Sequence, residues 1–221
     1  MPTVLITGAN RGIGREFSRQ YGADGWRVIA TCRNPDSYEG EGQVHRLDVT
    51  DADSVAAFGR SMAGEAIDLL INNAGIYGPR SLPFDALDYD GWEQVMRTNL
   101  MGPMRVAAAL AGPVAASQMK KMVFITSKMG SIGDNTSGGS YIYRSSKTAL
   151  NMAVKSLSLD LSDKGVICLL LHPGWVKTDM GGASAQIDAA TSVAGMRAVI
   201  DGAGSAESGR FFNYDGNKLP W

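Results

Sequence analysis

Short apolar runs recur along the chain with helix-like segments between them: TVLIT, RVIATC, QVHRLDV, IDLLIN, MVFIT, VICLLL and RFFNY. Most are continuously apolar rather than alternating, which suits strands covered on both faces. The spacers suit right-handed helical crossovers between parallel neighbours. The pattern predicts an α/β fold of the doubly wound, Rossmann kind, with a seven-stranded, mostly parallel sheet flanked by helices. Within DYDGWEQV, Asp90 with Glu93 three residues on reads as a capping box opening a long helix. The DGW stretch at 24–26 ends the first helix and turns into the second strand. No solenoid-length repeat and no linker-like stretch divides the 221 residues, so a single domain over 1–221 is expected. The loosest stretches, SIGDNTSGGS and DMGGASAQID, follow strand ends, where ligands sit in such sheets.

Composition narrows the partners. A formal charge of −1 gives no basic footprint for nucleic acid, and no Lys/Arg-rich amphipathic helix marks a membrane surface. VICLLL is far too short to span a bilayer, and the start PTVLITG lacks a charged leader, so a cytoplasmic protein is expected. Cys32 and Cys168 fall in strand-like runs and read as buried small hydrophobes rather than a disulfide. No CxxC or His-rich cluster suggests a metal.

The run TGANRGIG follows the strand TVLIT and opens the helix IGREFSRQYGAD. Gly8, Gly12 and Gly14 in that position let backbone N–H groups approach a pyrophosphate, and the helix N-terminus adds about half a positive charge. Glycines at a strand-to-helix turn also serve tight packing alone, and the run by itself leaves both readings open.

The spacing TGxxxGxG, with Asn10, Arg11 and Ile13 inside it, resembles the short-chain dehydrogenases/reductases. Four further motifs follow in that family's order and cover nearly the whole chain: NNAG with Asn73, Ala74 and Gly75; TNLMG with Asn99; ITS ending at Ser127; and YRSSK with Tyr143 and Lys147. HPGWVKTDM, carrying Pro173, Gly174, Val176 and Thr178, completes the set. SGGSYIYRSSKTALN, PGWVKTDMGG and FFNYDGNKLPW are most similar to the small C-factor-like and carbonyl-reductase-like branch.

The chemistry can be argued from the residues. Tyr143 and Lys147 are four apart in a helical segment and share one face. A phenol of pKa near ~10 suits a proton donor at neutral pH only if a cation lowers it. At ~4 Å and an effective dielectric of ~20, a lysine would contribute about 4 kcal/mol before desolvation. Ser127 directly follows the fifth strand, so its hydroxyl can polarise a carbonyl in the crevice at the sheet edge. The family places this serine about thirteen residues before the tyrosine, a spacing that Ser131 fits better. Strand-end position favours Ser127, with Ser131 bordering the substrate pocket. Pro103 cannot donate a helical hydrogen bond to the Asn99 carbonyl, which leaves a backbone acceptor free.

The resemblance implies more. Lys147 would also hold the nicotinamide ribose, and Asn99 would hold a water in a proton relay. Asp48 and Val49 would receive the adenine, and Asn73, Ala74 and Gly75 would approach the adenosine ribose. Pro173 and Gly174 would turn the chain under the nicotinamide, with Val176 on the carboxamide and Thr178 on the pyrophosphate. Where NAD enzymes of the family carry an acidic residue, this chain has Cys32 followed by Arg33. Arg11 and Arg33 suit a 2′-phosphate, so NADP(H) is expected. His45 and His172 read as strand packing rather than general bases.

Met129, Ser131, Ile132, Tyr141, Trp175 and Met180 should border the substrate, an apolar and aromatic set without a fixed charge. A neutral ketone, aldehyde or quinone is expected, or the corresponding alcohol in the reverse direction, with bulky diketones or quinones preferred over small charged keto acids. An NADP(H)-binding signalling or regulatory protein with little turnover is the alternative, since some C-factor-like relatives are associated with intercellular signalling. An extended-branch epimerase shares YxxxK but carries a larger C-terminal substrate region. The small-residue helix VAAALAGPVAAS and the helix carrying Tyr143 suggest a homodimer.

Overall fold

The computed structural model describes residues 1–40, 42–80 and 82–221. Seven strands form one sheet: β1 Thr3–Thr7, β2 Arg27–Cys32, β3 Gln43–Arg46, β4 Leu69–Asn72, β5 Lys121–Ile125, β6 Ile167–His172 and β7 Arg210–Asn213. Their order is β3-β2-β1-β4-β5-β6-β7, and every strand pairing is parallel. The helices are α1 Gly12–Ala23, α2 Ala52–Ser61, α3 Tyr89–Met96, α4 Gly102–Ala115, α5 Tyr141–Asp160 and α6 Ala189–Gly202. The expected doubly wound architecture is therefore present.

Alternating strand residues feed two cores. Leu5, Leu70, Phe124 and Leu170 pack with Phe58 of α2, Leu110 of α4 and Leu150 of α5. Their neighbours Ile6, Ile71, Val123 and Leu169 pack with Phe17 and Tyr21 of α1 and Met196 of α6. Each of the named strand residues is fully buried, contributing about 1.5–3 kcal/mol apiece by removal from water. This explains the continuous apolar runs. The strand order reverses between β1 and β4, so their carboxyl ends open a crevice there.

Two local expectations need correction. Asp90 does not cap α3; Asp88 does, its Oδ1 accepting from the Gly91 backbone N–H at 2.9 Å. Glu93 instead pairs with Arg97 at 2.7 Å, one helical turn on. The third strand also ends earlier than the run QVHRLDV, at Arg46, which frees Leu47 to Val49 to line the crevice. Among the described residues, no helix is long and apolar enough to cross a membrane.

His172 closes β6 with its Nδ1 buried and unpartnered. Burial, reinforced by Lys128, lowers its pKa to about 4, against weaker opposite effects of Asp134 and Asp215. The unfolded imidazole takes up a proton near pH 6.5, so folding stability falls as pH drops from there toward 4. A His172→Gln variant is expected to lack that part of the acid loss, on the order of 3 kcal/mol at full effect. Urea midpoints at pH 7 and pH 4.5 for both proteins check this.

Candidate active site

Loops from the carboxyl ends of the strands enclose a cavity of about 770 Å³. At the switch point the β1 and β4 loops are laced together. Thr7 Oγ1 accepts from the Asn73 and Ala74 backbone N–H groups at 3.0 and 3.1 Å, and Asn73 Nδ2 donates to the Thr7 and Gly8 carbonyls. Gly8 has φ +67°, and a Cβ there would meet Ala74 Cα at 3.0 Å. A Cβ on Gly14 would run into the Gly8 carbonyl and Asn73 Nδ2. Only glycine fits both positions.

The glycine turn delivers the start of α1 to the cavity. Arg11 occupies the N-cap but offers no side-chain acceptor, and Gly12 and Ile13 lie on the cavity wall. The first-turn N–H groups are thus left for an anion. Gly8, Asn10, Arg11, Arg33, Asp48, Val49, Asn73, Ala74, Gly75, Pro173 and Thr178 share that wall. Gly14, Gly174 and Val176 stand behind it. Gly14 serves packing as described; Gly174, at φ +82°, abuts Ile187 and Tyr214; Val176 is buried and bridged to Ile187. Thr178 Oγ1 accepts from the Gly181 N–H at 3.2 Å. The two arginines differ: Arg11 reaches Asp179 at 3.2 Å through an exposed pair, whereas Arg33 forms no ion pair among the described residues. An exposed pair of that kind is worth little and yields readily to a phosphate.

Tyr143 and Lys147 both point inward from α5, 8% and 5% exposed. Lys147 Nζ donates to the Ile125 carbonyl at 2.9 Å and stands 5.8 Å from the Tyr143 ring centroid. Burial lowers the lysine to about 8. It raises the phenol to about 12, against a hydrogen bond from Ser127 and the charge of Arg80, with Tyr77 adding to the rise. The expected lowering of the phenol by Lys147 is thus reversed. A pairwise Coulomb argument at ~4 Å omits the loss of hydration that both groups suffer.

Ser127 is buried, acts on the Tyr143 phenol in the direction that lowers its pKa, and accepts from the Met129 N–H at 3.1 Å. Ser131 faces elsewhere. Its hydroxyl donates to the Trp221 carbonyl at 3.2 Å and accepts from the Asp134 N–H, and like Ser127 it is not among the residues lining the cavity. Geometry therefore groups Ser127, not Ser131, with Tyr143. The opening at Pro103 takes the form of a π-helical turn, Arg97–Met101, between α3 and α4. Asn99 is buried there. Its Oδ1 accepts from the Ile76 N–H, and its Nδ2 donates to the Ile76 carbonyl and Ser146 Oγ. Gly75 sits between Asn99 Oδ1 and Lys147 Nζ, 3.2 and 3.7 Å from where its Cβ would be.

The sequence reading missed Tyr77 and Arg80. Tyr77 stacks on Tyr143 with centroids 4.4 Å apart, and the Arg80 guanidinium lies 4.2 Å over the Tyr77 ring. Arg80 also donates to the Met180 carbonyl at 2.6 Å. The pocket expected to carry no fixed charge therefore has one. Met129 approaches Tyr77 Oη, Met180 lines the cavity, and Trp175, Tyr141 and Ile132 are substantially exposed.

The short chain dehydrogenase family model matches residues 2–188. The C-signal protein of Myxococcus xanthus is 46% identical over 165 residues, covering 75% of this chain and 99% of its own. The 1-hydroxy-2-glutathionyl-2-methyl-3-butene dehydrogenase of Rhodococcus sp. (strain AD45) is 36% identical, with both chains fully covered. The crystal structure of NADPH-bound carbonyl reductase from chicken fatty liver superposes with a TM-score of 0.89 at 32% identity, covering 100% of this chain and 99% of that one. The glycine turn, the buried tyrosine and lysine, and a model match over most of the chain agree: this protein belongs to the short-chain dehydrogenase family.

Proposed function

We propose that the chain, acting as a single domain over 1–221, reduces a neutral ketone, aldehyde or quinone with NADPH. The carrying observation is one cavity whose wall joins a glycine turn, an uncapped helix N-terminus and Arg33 to Tyr143 and Lys147, with Ser127 acting on the Tyr143 phenol. The glycine cradle and Arg33, which forms no ion pair among the described residues, fit a dinucleotide bearing a 2′-phosphate. The NADPH-bound carbonyl reductase neighbour supports the same coenzyme. When bound, that coenzyme supplies the hydride for the carbonyl carbon.

The remaining work falls to the chain. Tyr143, buried and kept protonated, gives its phenolic proton to the carbonyl oxygen as negative charge develops there. The Met129 N–H occupies an acceptor site on Ser127 Oγ, leaving the hydroxyl proton to polarise the same oxygen. Lys147 is steered by the Ile125 carbonyl and retains two N–H donors for a ribose. Asn99 is locked by its side chain within the π-helical turn, where a water on its backbone carbonyl would pass a proton from solvent to Lys147 and on to the spent Tyr143. A carboxylate directly adjoining the carbonyl would sit against Tyr143 and Ser127, away from Arg80, so small keto acids should be poor substrates. Exposed Met152 and Leu159 on α5 support a homodimer through α4 and α5.

The test is coenzyme oxidation with a panel of neutral ketones, aldehydes and quinones, with NADPH and NADH in parallel. Arg33→Ala is expected to lower the NADPH-to-NADH ratio of kcat/KM by about 10- to 100-fold, the loss of a charge-assisted phosphate contact. An unchanged ratio would remove Arg33 from coenzyme selection. The second reading, a coenzyme-binding signalling protein, draws support from the C-signal relative. It requires NADPH binding without turnover of any carbonyl.

A further inference from the structure

Two arginines on the cavity wall form no ion pair among the described residues. Of the arginines on its wall, Arg11 is paired with Asp179 and Arg97 with Glu93, while Arg33 and Arg80 form no ion pair among the described residues. Arg33 has an anion to meet in the coenzyme's 2′-phosphate. Arg80 is separated from the proton donor by the Tyr77 ring.

The contacts of Arg80 hold it in place without neutralising it. Its guanidinium lies over the Tyr77 ring, and Nη2 donates to the Met180 carbonyl. Tyr77 is itself fixed, its hydroxyl 3.1 Å from Ser140 Oγ and its ring nearly parallel to that of Tyr143 at 16°. A guanidinium with its orientation already set has less freedom to lose when a carboxylate binds, and its remaining N–H donors suit two-point contact. Tyr77 is stacked on Tyr143 and has the guanidinium over its ring, so its thickness and exposed edge separate that cation from the Tyr143 ring.

We infer that Arg80 sets specificity for carbonyl substrates carrying a carboxylate at the end remote from the reacting carbonyl, with the body of the substrate passing the edge of the Tyr77 ring. The inference rests on the carbonyl-reductase reading above. Two stacking intervals separate Arg80 from Tyr143, so the carboxylate must be held off the carbonyl by a spacer. Such substrates remain neutral at the reacting end, which keeps the apolar surroundings of Tyr143 undisturbed.

The test compares 4-formylbenzoate with its methyl ester, which share the aldehyde and ring and differ in the remote charge. Wild type, Arg80→Met and Arg80→Lys are assayed for kcat/KM on both. Binding of 4-formylbenzoate to the protein without coenzyme is measured by calorimetry. The acid-to-ester ratio is expected to fall about tenfold or more in Arg80→Met and to recover in part in Arg80→Lys. If Arg80 only clasps the Met180 segment, both substrates change together and the ratio stays constant, which overturns the inference and leaves the reductase reading intact. If neither compound is reduced but the acid binds in an Arg80-dependent way, the reductase reading fails and carboxylate recognition stands. Neither turnover nor Arg80-dependent binding overturns both.

Discussion

Tyr143→Phe is expected to lower kcat by about 10²- to 10⁴-fold while coenzyme binding persists. The substitution deletes one oxygen and keeps the ring, so the stacking on Tyr77 and the burial on α5 are retained. What disappears is the proton that the forming alkoxide needs, together with the hydroxyl's interaction with Ser127. The fold should lose no more than about 1 kcal/mol, the worth of one such hydrogen bond. Steady-state kcat, NADPH affinity from fluorescence quenching and a urea midpoint, measured on one preparation, separate these effects. A kcat within a few-fold of wild type would remove Tyr143 from the chemistry.

Lys147→Met is expected to cost about 10²- to 10³-fold in kcat, because a cation and two donors aimed into a buried site are lost together. Its effect on stability has a distinctive pH signature. The lysine's folded pKa, lowered by burial to about 8, lies below the unfolded value of 10.5. Between those values the unfolded chain binds the extra proton, so wild-type stability gains from this group as pH rises and loses it as pH falls toward 8. The contribution is at most about 3 kcal/mol, reduced by whatever water reaches the amine. Methionine cannot titrate. The stability difference between wild type and variant should therefore shift in favour of wild type between pH 8 and pH 10. A constant difference would contradict the buried-cation description.

Much of this was legible in the sequence for identifiable physical reasons. Parallel strands covered on both faces must be apolar on both, which marked the central runs, though not the partly exposed edge strand β3, and Tyr143 and Lys147 four apart had to share a helix face. Pro103 lacks the N–H that a regular helix would return to Asn99, and the chain responds with a π-helical turn. What escaped was decided by distance. The tie of Ser131 to Trp221 and that of Arg11 to Asp179 join residues far apart in sequence, and no local pattern encodes them. Asp88 and Asp90 are both competent caps, so the choice between them depended on how the preceding loop enters the helix. Tyr77 and Arg80 belong to no motif. Their only signal was position, directly after the strand that ends in NNAG, on the edge where Tyr143 also emerges. The sign of the phenol's shift was missed because the lysine's charge was expected to outweigh desolvation, which is the larger effect.

The central claim is that this site moves a hydride from NADPH to a carbonyl carbon. The direct measurement is incubation of the protein with NADPH deuterated at nicotinamide C4, on each face in turn, and a neutral aryl aldehyde or ketone that the panel shows to be turned over. Mass spectrometry then reads the alcohol. The expected result is one deuterium on the carbinol carbon from one of the two labelled forms, matched mole for mole by coenzyme oxidised and abolished in Tyr143→Phe. Tight NADPH binding with no carbonyl in the panel reduced, or coenzyme oxidation without label in the alcohol, would contradict it.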